Sequence, residues 1–240
     1  MSSHEEASVS TRKVVEIALM RFSIDGFDET RLEPIAQESG MSKRMIHYHF
    51  GDKRGLYLAA LKLAIAQLRP EPQDMELEST VPVEGVRKVV EVIFNQIMAH
   101  PHAVRLMVLE NLFNYGGLKD SAPLADQSAV LLQMDKLLML GQDAGAFRPG
   151  ISALDIYTII TSLCFHRTIY HASFSNLYNM DLLDDVNLAG SRNLAVDTVL
   201  AFLTSNLNSQ HEISYLQPRS DADEDRSSSV YDLDTDVFSE

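Results

Sequence analysis

The chain has 240 residues, 45% of them hydrophobic, and a formal net charge of −14. This is enough for a sizeable core in one large domain or two smaller ones, and the single cysteine excludes an internal disulfide. No basic segment followed by an apolar run opens the chain, and no apolar run approaches the ~20 residues of a membrane span. We therefore expect a soluble cytoplasmic protein that does not associate with a membrane.

The negative charge is unevenly distributed along the chain. Residues 1–70 contain 10 Lys/Arg and 9 Asp/Glu, whereas residues 71–219 contain 9 and 17, and residues 220–240 contain 1 and 8. The acidity therefore lies outside the first 70 residues. The low overall isoelectric point does not prevent this N-terminal part from binding an anion.

Two helices are predicted in the first 40 residues. The first follows Ser10 or Thr11, either of which can act as its N-cap, and ends at Gly26. The second begins with Thr30 and Glu33, which have the spacing of a capping box.

A tight turn separates the second helix from a short third one. Gly40 is predicted to be a left-handed C-cap, and Ser42 caps the segment SKRMIHYHF at 42–50. A fourth helix follows Asp52 and ends before Pro70. The second and third helices therefore form a predicted helix-turn-helix.

The two faces of the third helix differ in chemistry. Helical periodicity places Ile46 and Phe50 together, where they are expected to pack on Ile35 and Ala36. The opposite face suits the major groove of DNA, where cations reach guanine or phosphate and Met reaches a thymine methyl. This face and its flanks comprise Lys43, Arg44, Met45, His47 and Tyr48. An ordinary amphipathic helix with solvated charges is the alternative.

Residues 11–58 resemble the DNA-binding domain of the TetR (tetracycline repressor-like) family. The match includes GF at 26–27, IA at 35–36 and SGMSKRMIHYHFGDKRGLY at 39–57, although His47 stands where the family usually has tyrosine. The resemblance implies an all-α fold, with a three-helix helix-turn-helix domain followed by a larger helical domain. It implies that Lys43, Arg44, Met45, His47 and Tyr48 face bases and sugars beside Ser42, and that Thr30, His49 and Lys53 hold phosphates.

Longer apolar helices are predicted after residue 82, and strand signals are weak. Their expected spans are 83–99, 103–115, 123–144, 152–174 and 190–208. By the same resemblance these helices bind a small molecule and form a homodimer. Helices 152–174 and 190–208 are long and apolar enough to supply the interface, and burial inside the monomer is the alternative. Two segments, HPHAVRLMVLENLFNYGGL and GAFRPGISALDIYTIITSLCFH, are similar to a subgroup that includes regulators of pyrimidine utilisation.

A bundle cavity lined by aromatic rings, amides and an imidazole suits a planar polar ligand. No lysine occurs among the candidate residues, so a neutral or weakly charged ring compound is the expected effector. Ordinary core packing is the alternative for each of them. The candidates are Phe94, Asn95, Met98, Glu110, Asn111, Asn114, Tyr157, Thr161, Phe165, His166 and Tyr170.

Enzymatic function is not indicated. The histidine pairs lack the i,i+4 spacing of a helical metal site, Cys164 and His166 lie on different helix faces, and there is no glycine-rich phosphate loop. We expect no catalytic residue, metal or cofactor.

The sequence therefore predicts a homodimeric regulator that binds double-stranded operator DNA and is released by a small molecule, acting as a repressor. A ligand-independent DNA-binding or interaction protein on the same fold is the alternative. The expected domains are 1–55 for DNA binding and 56–210 for ligand binding and dimerisation, linked by helix 53–68. Residues 211–240 are expected to form an acidic, disordered tail, either inert or competing with DNA for the cationic helix.

Overall fold

The structure, a computed structural model, describes residues 3–75, 81–118, 129–206 and 214–216. Within these ranges the chain is helical and contains no strand. The all-α prediction is confirmed. The helices are α1 (Ser3–Glu29), α2 (Leu32–Ser39), α3 (Lys43–Phe50), α4 (Lys53–Gln67), α5 (Pro82–Met98), α6 (Pro101–Phe113), α7 (Ala129–Asp143), α8 (Ala153–Tyr178) and α9 (Asp185–Thr204), with a 3-10 turn at Pro72–Met75.

The first helix starts earlier than predicted, and its helical geometry breaks at Gly26 as predicted. It begins at Ser3, upstream of the expected caps Ser10 and Thr11. Gly26 interrupts it with φ 78° and ψ 172°, and a further turn follows before Glu29. A residue with a side chain is strained at that positive φ, so glycine marks the kink although the helix resumes beyond it.

The capping box predicted at the start of α2 is wrong. The N-cap is Arg31, which makes no side-chain capping bond, while the Thr30 hydroxyl donates to the Gly26 carbonyl at 2.6 Å. The left-handed cap at Gly40 is confirmed by its φ of 76°. Ser42 caps α3 by accepting a hydrogen bond from Met45 N, as predicted.

The helix-turn-helix packs through the predicted face of α3. Ile46 and Ile35 are fully buried, and Phe50 and Ala36 pack against the same core. Because Ile46 and Phe50 are one turn apart, their burial leaves the opposite face of α3 exposed.

Helix α4 joins this N-terminal unit to the rest of the protein. Asp52 caps it by accepting from Gly55 N at 2.7 Å, and the helix packs on both α1 and α6. A displacement of α6 can therefore reach the DNA-binding unit through α4.

The larger domain is organised around α5, which contacts α7, α8 and α9. Helix α8 runs to Tyr178 and α9 starts at Asp185, so the predicted ends at 174 and 190 are both several residues short. Asp184 is the missed N-cap of α9 and accepts from Asn187 N at 2.6 Å. No helix in the described part of the chain is long and apolar enough to cross a membrane.

Three residues of the predicted tail have defined contacts. The Ser214 hydroxyl lies 2.9 Å from Asp155 Oδ2, and Leu216 N donates to Asp155 Oδ1 at 2.9 Å. The Tyr215 ring packs beside Phe202 of α9. At residues 214–216 the prediction of a disordered tail is therefore wrong. The rest of 211–240 lies outside the described residues.

Replacing Ser214 with alanine should lower stability at neutral pH and much less at low pH. Burial raises the pKa of Asp155, but hydrogen bonds from Ser152 and Ser214 outweigh burial and hold this pKa below its usual value. A depressed carboxyl pKa stabilises the fold above about pH 3.9, and this stabilisation is lost as the pH falls through the folded-state pKa. We expect Ser214→Ala to cost about 1 kcal/mol at pH 7. Urea unfolding at pH 7 and near pH 3 measures the difference, and an equal loss at both pH values would contradict it.

Candidate nucleic-acid interface and ligand cavity

Helix α3 presents its cationic and aromatic face to solvent. Tyr48 is 79% exposed and Met45 is 42% exposed. Lys43, Arg44, His47 and His49 are exposed as well. The predicted recognition residues of α3 therefore share one accessible surface, consistent with insertion of this helix into a groove.

Lys43 is held by a carboxylate of the preceding helix. Its ammonium group donates to Glu33 at the start of α2. The hydrogen bond from Lys43 lowers the pKa of Glu33 below its usual value, so Glu33 stays charged at neutral pH. DNA phosphates or bases that bind Lys43 must compete with this exposed ion pair.

His47 forms a hydrogen bond with the backbone at the end of its own helix. Its Nδ1 lies 2.7 Å from the carbonyl oxygen of Gly51. A carbonyl can only accept, so Nδ1 carries the proton and the neutral ring keeps Nε2 as an acceptor. An acceptor at this position can pair with the amino groups of adenine or cytosine, whereas a tyrosine here would offer a hydroxyl.

The predicted phosphate contacts differ in accessibility. Lys53 lies at the N-terminus of α4, donates to the carbonyl of Asp28 at 2.9 Å and sits 4.7 Å from the centre of the Phe27 ring. Thr30 is only 3% exposed, and its hydroxyl already donates to Gly26. Lys53 can therefore meet a phosphate at the surface, whereas the Thr30 hydroxyl cannot do so in this conformation.

A cavity of about 390 Å³ lies between the end of α4 and helices α5, α6 and α8. Three predicted ligand residues line it, namely Tyr157, Thr161 and Phe165. Sequence reasoning missed the remaining lining residues, which are Ile65, Leu68, Arg69, Ile97, Met107 and Ser162. The lining contains no lysine, as expected, but it includes Arg69, which the sequence did not indicate.

The other predicted ligand residues lie elsewhere. Glu110, Asn111 and Asn114 line a separate pocket of about 330 Å³ with Leu118. The Glu110 carboxylate is 1% exposed and accepts hydrogen bonds from Tyr57 Oη, Gly116 N and Leu118 N at 3.1, 2.9 and 3.0 Å. These three donors give Glu110 a structural role in addition to its position at this pocket.

Five further candidates are also absent from the lining of the 390 Å³ cavity. Phe94 is fully buried in the core, Asn95 is exposed, and Met98 packs against the core. His166 and Tyr170 stack with ring centroids 4.9 Å apart on the exposed side of α8. The single ligand site expected from eleven residues is thus divided among several places.

The exposed side of α8 forms an aromatic strip. The His166 ring contacts Phe174 edge-on at 5.2 Å, and Phe174 contacts Tyr178 at 5.1 Å. On α9, Leu194 is 58% exposed. Exposed apolar side chains on α8 and α9 are available for a protein–protein interface.

The described residues contain no grouped metal ligands, and Cys164 is buried. No group of three or more His, Cys, Asp or Glu side chains is placed to hold a metal ion in these ranges. Burial raises the pKa of the Cys164 thiol to about 12, so the thiol is protonated at neutral pH. A protonated, buried thiol is a poor nucleophile.

The structure combines a helix-turn-helix that exposes a cationic helix with a helical domain that contains a cavity, and α4 joins the two. This combination defines a DNA-binding regulator with a ligand-binding domain. Residues 14–60 match the family model described as "Bacterial regulatory proteins, tetR family", and residues 82–199 match "Tetracyclin repressor-like, C-terminal domain". The chain belongs to the TetR family of transcriptional regulators.

Individual relatives agree with this assignment. The chain is 26% identical to the HTH-type transcriptional repressor NicS of Pseudomonas putida, over 75% of this chain and 85% of NicS. It is 31% identical to the HTH-type transcriptional regulator RutR of Escherichia coli K12, over 44% of this chain and 49% of RutR. The crystal structure of HlyIIR, a hemolysin II transcriptional regulator, has the same fold, with a TM-score of 0.54 at 20% identity, over 83% of this chain and 99% of that chain.

Proposed function

We propose that this transcriptional regulator is a cytoplasmic repressor that binds operator DNA as a homodimer and leaves it when a small molecule fills the cavity between α4 and α8. The observation that carries the DNA-binding part is the exposed cationic and aromatic face of α3, opposite the buried Ile46. The name of NicS as a repressor supports the direction of regulation.

The specific contacts are proposed to come from α3. Arg44 and Lys43 reach guanine or phosphate, His47 accepts from an amino group, and Met45 and Tyr48 meet a thymine methyl or sugar. Ser42 and His49 flank them, and Lys53 holds a phosphate at the N-terminus of α4, where the helix dipole favours an anion. For Thr30 the backbone is the only group proposed to contact DNA, because its hydroxyl is engaged.

A dimer is proposed because helix-turn-helix proteins read two half-sites about 34–36 Å apart. The aromatic strip of α8 and the exposed Leu194 of α9 supply an apolar surface for a second copy of the chain. We place the domain boundary near residue 55, with α4 as the link whose tilt sets the spacing of the two α3 helices.

We expect the effector and the operator to weaken each other's binding to the protein. The cavity is lined by Ile65 of α4 and by Leu68, the C-cap of α4, so a ligand there contacts the helix that carries the DNA-binding unit. By linkage, the effector weakens operator binding by the same factor by which operator weakens effector binding. A ligand-independent regulator would leave operator affinity unchanged by every cavity ligand.

Selection of bound sequences from a random DNA pool tests the proposal. The expected result is a palindromic site with half-sites one helical turn apart. The Arg44→Ala variant serves as the comparison and should lose enrichment of that site. Recovery of no preferred sequence by the wild-type protein would overturn the proposed function.

Lys53→Ala should weaken binding to every DNA sequence rather than to the operator alone. A phosphate contact carries no base information, and its loss reduces the slope of log affinity against log salt by about one unit per protomer. Fluorescence anisotropy on operator and random duplexes across a salt series measures the affinity for each DNA and the slope of log affinity against log salt. As a control, Lys62→Ala removes an exposed cation from the same helix and should leave both curves unchanged. A loss confined to the operator would show that Lys53 contacts bases.

A further inference from the structure

The ammonium group of Lys53 is held by the last residues of α1. It donates to the backbone carbonyl of Asp28 at 2.9 Å and lies over the Phe27 ring, 4.7 Å from its centre. A cation is attracted to the face of an aromatic ring, and an ammonium group has three donors, of which this hydrogen bond uses one. Lys53 is therefore oriented by contacts that leave donors for a phosphate.

The Phe27 ring belongs to a stack of rings that leads to the end of α6. It stacks on Tyr115 with centroids 4.9 Å apart, and Tyr115 stacks on Phe113, the last residue of α6, at 5.4 Å. Two buried rings, those of Phe22 and Tyr57, also contact Phe27. Through Tyr115, the position of the Phe27 ring depends on where α6 ends.

Tyr115 also holds Asp28, the second residue that contacts Lys53. The Tyr115 hydroxyl donates to Asp28 Oδ2 at 2.9 Å. This hydrogen bond raises the pKa of Tyr115, so the hydroxyl remains a donor at neutral pH. The loop is in turn fixed to α4, because Arg54 donates to the carbonyl of Tyr115 at 3.3 Å. Tyr115 thus contacts both groups that orient Lys53, one through its ring and the other through its hydroxyl.

We infer that Tyr115 is a positioning residue for the DNA contact of Lys53, because it fixes Phe27 and Asp28, which hold the ammonium group ready for a phosphate. This inference rests on the proposed function, which assigns a phosphate to Lys53. A lysine side chain that is free must lose rotational freedom when it contacts DNA, whereas one that is already held loses less. The end of α6 thereby takes part in the DNA contact without touching DNA.

Tyr115→Ala should weaken binding to operator and random duplexes by the same factor, since a phosphate contact carries no base information. Ordering one flexible side chain reduces affinity roughly two- to tenfold, and a homodimer orders two, so a fall between about 4-fold and about 100-fold is expected. Tyr115→Phe keeps the ring and loses only the hydrogen bond to Asp28, so its loss should be smaller. Fluorescence anisotropy on both duplexes measures each affinity.

A double-mutant cycle with Lys53→Ala separates positioning from general damage to the fold. If Tyr115 acts through Lys53, Tyr115→Ala should cost no further affinity in the Lys53→Ala background. Tyr215→Ala is the matched control, because it removes another tyrosine with an aromatic and a cationic neighbour, Phe202 and Arg148, and should bind DNA like the wild type. If Tyr115→Ala does not fold, as judged by circular dichroism, Tyr115→Phe takes its place in the cycle.

Four results would overturn the inference. They are wild-type affinity of Tyr115→Ala for both duplexes, a loss confined to the operator, an equal loss with and without the Lys53 side chain, and wild-type affinity of Lys53→Ala, which would leave no phosphate contact to position. The DNA selection separates these results from failure of the proposed function. A protein that selects an operator, and that Lys53→Ala weakens but Tyr115→Ala does not, refutes only the positioning role.

Discussion

Replacing Tyr48 with alanine is expected to abolish specific operator binding while the protein keeps its helix content and its oligomeric state. Tyr48 is the most exposed large apolar side chain of α3 and lies opposite the buried Ile46. Its described ring contact is with the adjacent His49, at 5.2 Å, so little packing is lost. The fold should therefore not depend on it.

The expected size of the effect follows from two-fold symmetry. One lost base contact costs about 1–3 kcal/mol, and a homodimer loses two, so operator affinity should fall between about 30-fold and about 10,000-fold. Fluorescence anisotropy on the selected operator measures the loss. Tyr48→Phe keeps the ring and separates its packing from its hydroxyl. If Tyr48→Ala binds the operator like the wild type, α3 does not enter the groove as assigned.

The DNA-binding face could be predicted from sequence because its determinants are local. Gly40 ends α2, Ser42 caps α3, and the spacing of Ile46 and Phe50 fixes which side of an eight-residue helix is buried. Such signals act within a few residues, so no knowledge of the remaining fold is required.

The lining of the cavity that we propose for the effector could be predicted only in part, because its walls come from distant segments. Tyr157, Thr161 and Phe165 were found because their spacing on one helix is visible in the sequence. Arg69 was missed because its position opposite α8 depends on how α4 crosses the larger domain. Tertiary packing of this kind leaves no local pattern around an arginine.

Glu110 has a structural role that the sequence did not indicate. Its position among apolar residues of α6 was interpreted as a ligand contact, yet Tyr57, 53 residues earlier, supplies one of its three donors. The backbone of Gly116 and Leu118 supplies the other two, because α6 ends at Asn114 in a left-handed conformation and the chain folds back. Helical periodicity does not predict that a loop folds back onto the helix before it.

The loop that folds back over Glu110 connects three helices. Arg54 of α4 donates to the carbonyls of Tyr115 and Gly116, at 3.3 and 3.1 Å. Tyr115 Oη donates to Asp28 Oδ2 of α1 at 2.9 Å. A side chain at position 116 would approach Leu61 to 2.7 Å, so glycine allows the loop to lie close to α4. The loop thereby links α6, which lines the cavity through Met107, to the DNA-binding unit.

Burial explains why this arrangement should be sensitive to Glu110. Burial, and after it the nearby Glu110 carboxylate, raises the pKa of the Tyr57 hydroxyl well above its usual value, so this hydroxyl remains a donor throughout the accessible pH range. Three hydrogen-bond donors converge on the two carboxylate oxygens of Glu110. The described contacts give these donors no other acceptor. A glutamine there has only one acceptor oxygen, and its amide nitrogen must face a donor.

Glu110→Gln is therefore expected to lower the free energy of unfolding by about 2–4 kcal/mol, since at least one buried donor loses its charged acceptor and faces an N–H group instead. For a chain of this size the melting temperature should fall by roughly 4–16 °C. Thermal unfolding followed by circular dichroism at fixed protein concentration measures the shift. Glu71→Gln makes the same chemical change at an exposed position and should melt with the wild type. If Glu110→Gln also melts with the wild type, the buried carboxylate does not hold the loop, and the connection from α6 to α1 must run through side-chain packing alone.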